Sequence, residues 1–439
     1  MARSTFPCPR PVGSAASLLV NVVLAVGLAA CGGGGSTTAA DLGTDTPPPL
    51  GQTPAPPPPA ASPPTVSPPA ASPPAAPPGV GSIARAFTVV MLDNTGATGA
   101  TINSEGQVAF SAGSARQPRP QFFDGANLQQ VASESLGTAV GVNDSGLVTG
   151  SLFQDGGLFR AFVWTPGTPD ALTLIDTPPG VSTTATAINH RGQVTGTHQN
   201  RTVPGAFRWT PGPGATLQIL ESAGGPGVTP RLEIGLFINA SGTVAGMSTG
   251  PVSGTHAALW VPGAPVRDLG AGAGTDSTVT GLNDANQVVG DVNFTGGVTR
   301  AYRWTEVEGM RDLGTLGGAT SSAYAINDSG WVVGDSTNPS GDRVAFVWRD
   351  GTMTSLGTLG GLTSNATAIN AAGLVGGTST TADSIHAFLW TADDGMVDLN
   401  TLVKAGSPLL MWVVALADNG AMVVQSSGGL VLLRPEARQ

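Results

Sequence analysis

N-D-S-G-W-V-V-G, residues Asn327–Gly334, is one copy of a phrase that this chain writes about eight times. Other versions sit at Asn103–Ala109, Asn143–Gly150, Asn189–Gly196, Asn239–Gly246, Asn283–Gly290 and Asn370–Gly377, with a decayed copy at Ala417–Val424. The fourth position of the phrase falls at 106, 146, 192, 242, 286, 330, 373 and 420, so successive copies are 40 to 50 residues apart. A period near 44 residues identifies a repeat architecture before any single side chain is weighed.

The unit 321–360 shows what one repeat contains. S-A-Y-A-I-N (Ser322–Asn327) reads as a short strand, and Asn327-Asp328-Ser329-Gly330 as a tight turn. Asn and Asp bond their own backbone in such turns, and Gly accepts a positive φ. Trp331–Gly334, Val344–Trp348 and Met353–Leu359 supply three more strands. Four strands and no helix-period stretch are the content of one propeller blade. Residue size supports that geometry. First strands carry small residues such as Ala185, Ala187, Ala323 and Ala325, whereas third strands carry bulky pairs such as Phe207/Trp209 and Phe346/Trp348. Blades converge on an axis and splay outward, so small residues belong inside, and each Trp reads as a packing wedge between blades. Phe87–Leu92 matches a fourth strand, while the last repeat (Trp412–Leu433) supplies only three. Together they complete one blade and seal the ring, which leaves no open sheet edge. The expected fold is all-β: a β-propeller of eight four-stranded blades, closed by the N-terminal strand joining the C-terminal blade. Seven blades are the alternative count, and a β-solenoid is the alternative architecture.

The propeller occupies residues 82–439. Before it, residues 1–30 read as a lipoprotein signal peptide: Arg3 and Arg10 precede an apolar run that ends Leu28-Ala29-Ala30-Cys31. Small residues before a cut site with cysteine directly after it resemble the bacterial lipobox, in which the cysteine (here Cys31) is lipidated. Residues 31–81 form a Pro/Ala-rich linker, including Ala55-Pro56-Pro57-Pro58-Pro59. In polyproline II form, at ~3.1 Å per residue, it would reach on the order of 100 Å. The expected location is the bacterial outer membrane, by an N-terminal lipid anchor, with the domain facing the periplasm or the outside. Gly32 follows the cysteine where an inner-membrane retention signal would carry Asp. Cys8 lies within the signal, so the exported domain has no thiol for a disulfide or cysteine metal site. Removing Arg3 and Arg10 takes the formal charge from −10 to −12, and Lys404 is the one lysine. Such a domain offers no basic stripe for phosphates, which excludes nucleic acid as the expected partner. A monomer is expected.

The repeats also contain Leu313-Gly314-Thr315-Leu316-Gly317-Gly318 and Leu356-Gly357-Thr358-Leu359-Gly360-Gly361, and His386-Ala387-Phe388 precedes Leu389-Trp390. This combination resembles the HAF family of extracellular repeat proteins, over essentially all of residues 82–433. The resemblance implies an extracellular repeat fold and brings no catalytic residues. Only one unit spells His-Ala-Phe in full, with Arg160, Gly205, Arg300 or Val344 at the His position elsewhere. A histidine so replaceable is not expected to ligate a metal or catalyse. No H-E-x-x-H, G-x-S-x-G or P-loop pattern occurs. The Asn-Asp steps at 143–144, 283–284 and 327–328 invite a calcium reading, but Ser104, His190, Ala240 and Ala371 take the acidic position in other copies. Turn chemistry covers every copy. No cofactor, metal or catalytic residue is therefore assigned.

The segments between second and third strands differ in length and character, as in Ser151–Phe159, Thr197–Pro204, Asp291–Thr299 and Asp335–Arg343. In an up-and-down blade they emerge at the same end as the blade-to-blade connections. Diverse loops on a rigid frame are where binding normally resides. The candidate ligand-face residues are Phe153, Phe159, His198, Arg201, Phe294, Asp342 and Arg343. The expected role is a non-catalytic binding or scaffold module for a protein or glycan ligand. The alternative is a propeller-type carbohydrate-active hydrolase or lyase with two acids converging across the ring.

Overall fold

A computed structural model describes residues 83–436, apart from 133–134, 169–170, 201–203, 226–231 and 251–253. The signal segment, Cys31 and the linker lie outside the described residues. The chain forms eight antiparallel sheets, each an up-and-down meander. Blade 1 begins at Thr98–Ile102, and the next innermost strands are Gly137–Val142, Ser182–Ile188 and Ile234–Ile238. Blade 5 has a divided inner strand, Asp276–Ser277 and Gly281–Leu282, so its sheet counts five strands. Blades 6, 7 and 8 start at Ser321–Ile326, Ser364–Ile369 and Leu410–Leu416. Neighbouring inner strands touch all the way round, and those of blades 8 and 1 meet as well. The fold is therefore an eight-bladed β-propeller. Its eighth blade is a composite: strand β1 (Phe87–Asp93) pairs antiparallel with Gly429–Pro435 as the outermost strand.

Packing between blades explains the small–large alternation. In blade 6, Phe346 and Trp348 are buried with Val289, Ala301 and Leu313 of blade 5. The same arrangement joins blades 2 and 3 around Phe207 and Trp209. The wedge reading of the tryptophans thus holds. The glycine that ends the sequence phrase belongs to this packing. Gly334 pairs with Phe346 across the ladder, and a Cβ there would strike the Ser322 carbonyl and press on the Phe346 ring. Seven inner strands share a one-residue register shift at matching positions, such as Ala185/Ala187 and Ala323/Ala325. Each such bulge leaves one residue outside the ladder and bends the strand.

The Asn-x-x-Gly turn does more than reverse the chain. In blade 2, Asn143 Oδ1 accepts from the amides of Ser145 and Leu147, while its Nδ2 donates to the carbonyl of Asn189 in blade 3 at 3.0 Å. The same donation runs from Asn103 to Asn143, Asn189 to Asn239, Asn239 to Asn283 and Asn283 to Asn327. It continues from Asn327 to Asn370 and from Asn370 to the Ala417 carbonyl. Ala417 has no amide to pass on. Two residues later, Asn419 Nδ2 donates to the Ser104 carbonyl at 2.6 Å and closes the girdle. All seven asparagines that open the phrase are buried. The Asn-Asp steps join in, because Asp144, Asp284 and Asp328 accept backbone N–H groups from the preceding blade, as does Asp418 after Ala417. Turn chemistry accounts for these residues, with an inter-blade link added to it.

Candidate functional site

The two ends of the ring are built differently. One end carries the hydrogen-bonded girdle and the short turns between third and fourth strands. The other carries the hairpins between second and third strands, together with the blade-to-blade connections. The hairpins are shorter than the sequence suggests. Asp335 and Ser336 continue the second strand, which runs Val332–Thr337, and both are buried. Likewise Ser151–Gln154 lies within Val148–Gln154. These polar residues read as loop but face a neighbouring blade or ladder partner, so the strands extend to the hairpin tips.

The candidate residues fall on blades 2, 3, 5 and 6. Phe153 and Phe159 are opposite one another across the blade 2 hairpin, with ring centroids 5.4 Å apart and edge-on. Phe153 is 45% exposed, a large apolar side chain left at the surface. His198 lies opposite Gly205, which has no side chain because the imidazole fills the space a Cβ would take. Burial lowers the pKa of His198. Phe294 opens the blade 5 hairpin turn, its N–H donating to the Val298 carbonyl. Asp342 ends the blade 6 turn; its N–H donates to Asn338 Oδ1. Arg201 lies outside the described residues. The structure brings together Phe153 with Phe159, and Asp342 beside Arg343, but each pair stays within its own hairpin.

Arg343 leads to a cluster that sequence reasoning missed. Its Nε donates to Asp335 Oδ2 at 2.5 Å, and the Tyr324 hydroxyl donates to Asp335 Oδ1 at 2.5 Å. The Asp335 side chain is only 2% exposed, whereas Arg343 is 54% exposed. Burial pushes the Asp335 carboxyl up, against the pull of Arg343. On blade 5, Asp291 occupies the same strand position and accepts the Ala323 N–H at 3.0 Å. Burial pushes its carboxyl up to about 7, with the charge of Asp335 adding to the effect. The signal was present in the sequence: the residue after the second-strand glycine is Asp in blades 5 and 6, but Ser151, Thr197, Met247 or Thr378 elsewhere. Reading those aspartates as the first residues of loops hid it.

Two further features were also missed. Glu233, at the head of the blade 4 inner strand, is buried, and burial raises its pKa. Its Oε1 accepts from Ser222 Oγ and Thr249 N, while Oε2 has no hydrogen-bond partner among the described residues. The His of the His-Ala-Phe triplet has an intra-blade role. His256 and His386 pair through Nδ1 with Asp268 and Asp398 of their own fourth strands, and Arg300 approaches Asp312 in the same way. Where the fourth strand has Leu174, Ile219 or Ser355 instead, the triplet position is Arg160, Gly205 or Val344. Among the described residues, no group of three or more His, Cys, Asp or Glu is placed to hold a metal ion.

Fold and ring closure define the class: a closed eight-bladed β-propeller sealed by its N-terminal strand. No family model matches the chain, and no curated protein matches it. Among solved structures it is similar to a puromycin-hydrolysing peptidase of Mycobacterium tuberculosis, with TM-score 0.41 and 11% identity over 62% of this chain and 44% of that one. It is also similar to the β-propeller domain of the Trilobed protease from Pyrococcus furiosus, with TM-score 0.40 and 12% identity over 60% of this chain and 84% of that one. TolB from Acinetobacter baumannii gives TM-score 0.36 and 12% identity, covering 60% and 63%. The chain spans less than half the length of the first of these.

Proposed function

We propose that this chain is a non-catalytic binding propeller, held on the bacterial envelope by lipidated Cys31 and presenting its hairpin end to a protein or glycan. The observation that carries the reading is the difference between the two ends. The turn end is uniform and sealed by the asparagine girdle, whereas the hairpin end concentrates exposed Phe153, half-exposed Arg343 and hairpins of differing sequence. The chain also enters the ring at the turn end, where Ile83 N–H bonds Asp394 in the last turn of blade 7. The test replaces the hairpin tips of blades 2, 3, 5 and 6 with Gly-Ser and compares pull-downs and glycan arrays with the intact chain. Loss of binding supports the reading, and undiminished binding overturns it. Protease accessibility on whole cells reports which side of the outer membrane displays the domain.

The coupled carboxylates Asp291 and Asp335 favour one second reading, a polysaccharide hydrolase or lyase. It ranks lower because both Asp335 oxygens are already bonded to Tyr324 and Arg343. Turnover of a polysaccharide panel that disappears in Asp291→Asn would reverse the ranking.

A further inference from the structure

Blade 6 combines three residues that no other blade has together, and the three meet. The residue after the second-strand glycine is Ser151, Thr197, Met247 or Thr378 in four blades, and Ser111 and Gln425 stand at that position in the two blades without the glycine; it is acidic only as Asp291 and Asp335. The bulged inner-strand residue is Gly99, Val140, Thr186, Leu236, Thr367 or Val414 in other blades, but Tyr324 here. The residue opposite Thr337 is Arg343; the residues at the matched register are Phe159, Pro204, Thr255, Thr299 and Ile385, and the third strand of blade 1 also opens with an arginine, Arg119. The frame therefore folds without this trio in every other unit. A buried carboxylate also carries a desolvation cost that Ser or Thr would avoid. Local departures that agree with one another and that the fold does not need are the mark of a functional site.

The geometry states what the site would hold. Asp335 grips Arg343 by Nε alone, and Tyr324 holds Asp335 by its other oxygen. The guanidinium is thereby fixed along one edge. Its two terminal nitrogens make no hydrogen bond among the described residues, and the side chain is 54% exposed. A planar, pre-set pair of N–H donors matches the two oxygens of a carboxylate or the edge of a sulfate. The surrounding domain, residues 82–439, is acidic at a formal charge of −10, so a polyanion is repelled. We infer that Arg343, oriented by Asp335 and Tyr324, is the subsite for a single oxyanion on the ligand, such as the carboxylate of an acidic sugar. This deepens the binding reading above and rests on it.

The test titrates the full chain with glucuronate, glucose 6-sulfate and neutral methyl glucoside, following calorimetry and the Arg343 Nε resonance. An acidic sugar should bind and shift that resonance, while the neutral glycoside does neither. Arg343→Lys keeps the charge and loses the fork, and should weaken binding about tenfold. Because Arg343→Ala would strand a buried charge, Asp335→Ser/Arg343→Thr is the folded control; it takes both residues from uncharged blades and should abolish binding. Acidic-sugar binding that survives in the double variant, or an absence of binding to either acid in the intact chain, overturns the subsite. Loss of ligand capture on hairpin replacement but not in the double variant overturns the subsite and leaves the binding face standing.

Discussion

A single asparagine side chain does two jobs in seven of the eight copies of the phrase. Its oxygen holds its own turn, and its amide nitrogen reaches the next blade. Asn239 is the fullest case, accepting from Ser241 N, Ser241 Oγ and Thr243 N while donating to the Asn283 carbonyl and to Asn286 Oδ1. Asn239→Ala strands buried backbone groups on both sides of a junction, and should cost about 2–3 kcal/mol by denaturant unfolding. The turn was legible in the sequence, since Asn, small residues and Gly at fixed offsets have few other uses. The donation was not, because its acceptor lies 40 to 50 residues away and is a backbone carbonyl, which leaves no trace in composition. At the same scale, Asp291 has a folded-state pKa of about 7 against an ordinary 3.8. A raised acid favours the folded state fully below 3.8, and that contribution is lost as pH climbs to about 7. Asp291→Asn keeps an acceptor for the Ala323 amide without the charge. Its stability relative to the parent should rise from pH 4 to pH 7 and level off above, as thermal melts across that range would show.

Strands give the second scale. Their order and number in a blade followed from alternation and turn spacing, and blade 6 has four strands as expected. Their lengths did not follow. The expected second strand ended at Gly334, but pairing continues through Thr337 opposite Arg343. A charged residue such as Asp335 reads as loop unless its partners are known, and Tyr324 and Arg343 are neighbours only once the sheet has formed. This is also why the fold was legible while the oxyanion subsite was not. Interlocking of adjacent strands makes a sharp prediction. Phe346→Ala empties a fully buried site between blades 5 and 6, and should cost about 3–5 kcal/mol in chemical denaturation. Gly334→Ala forces a methyl group into the Ser322 carbonyl, whereas at Gly341 a Cβ meets nothing within 4 Å. Thermal unfolding should therefore fall far more for Gly334→Ala than for Gly341→Ala, even though Gly341 carries the positive φ of +89°.

The ring is the largest scale, and its closure rests on one strand. β1 covers the outer edge of Gly429–Pro435, and Phe87 N–H also bonds the Leu402 carbonyl between blades 7 and 8. Removing residues 83–93 would leave the outer edge of that long, apolar strand unpaired. Such an edge templates association with another chain, so the truncated protein should elute in size-exclusion chromatography as larger species than the intact domain does. Hydrogen exchange should quicken first in blade 8.

The girdle bears on how a ring of this size arises. From blade 1 to blade 7 every junction uses the same donor and the same acceptor, so a unit duplicated in that interval arrives already fitted to both neighbours. Only the last junction differs, where Ala417 cannot donate and Asn419 reaches Ser104 instead. Growth by copying is therefore neutral everywhere except at the seam. The number of blades is set by how far the sheets must splay to meet, and by the one unit whose wording says where the circle stops.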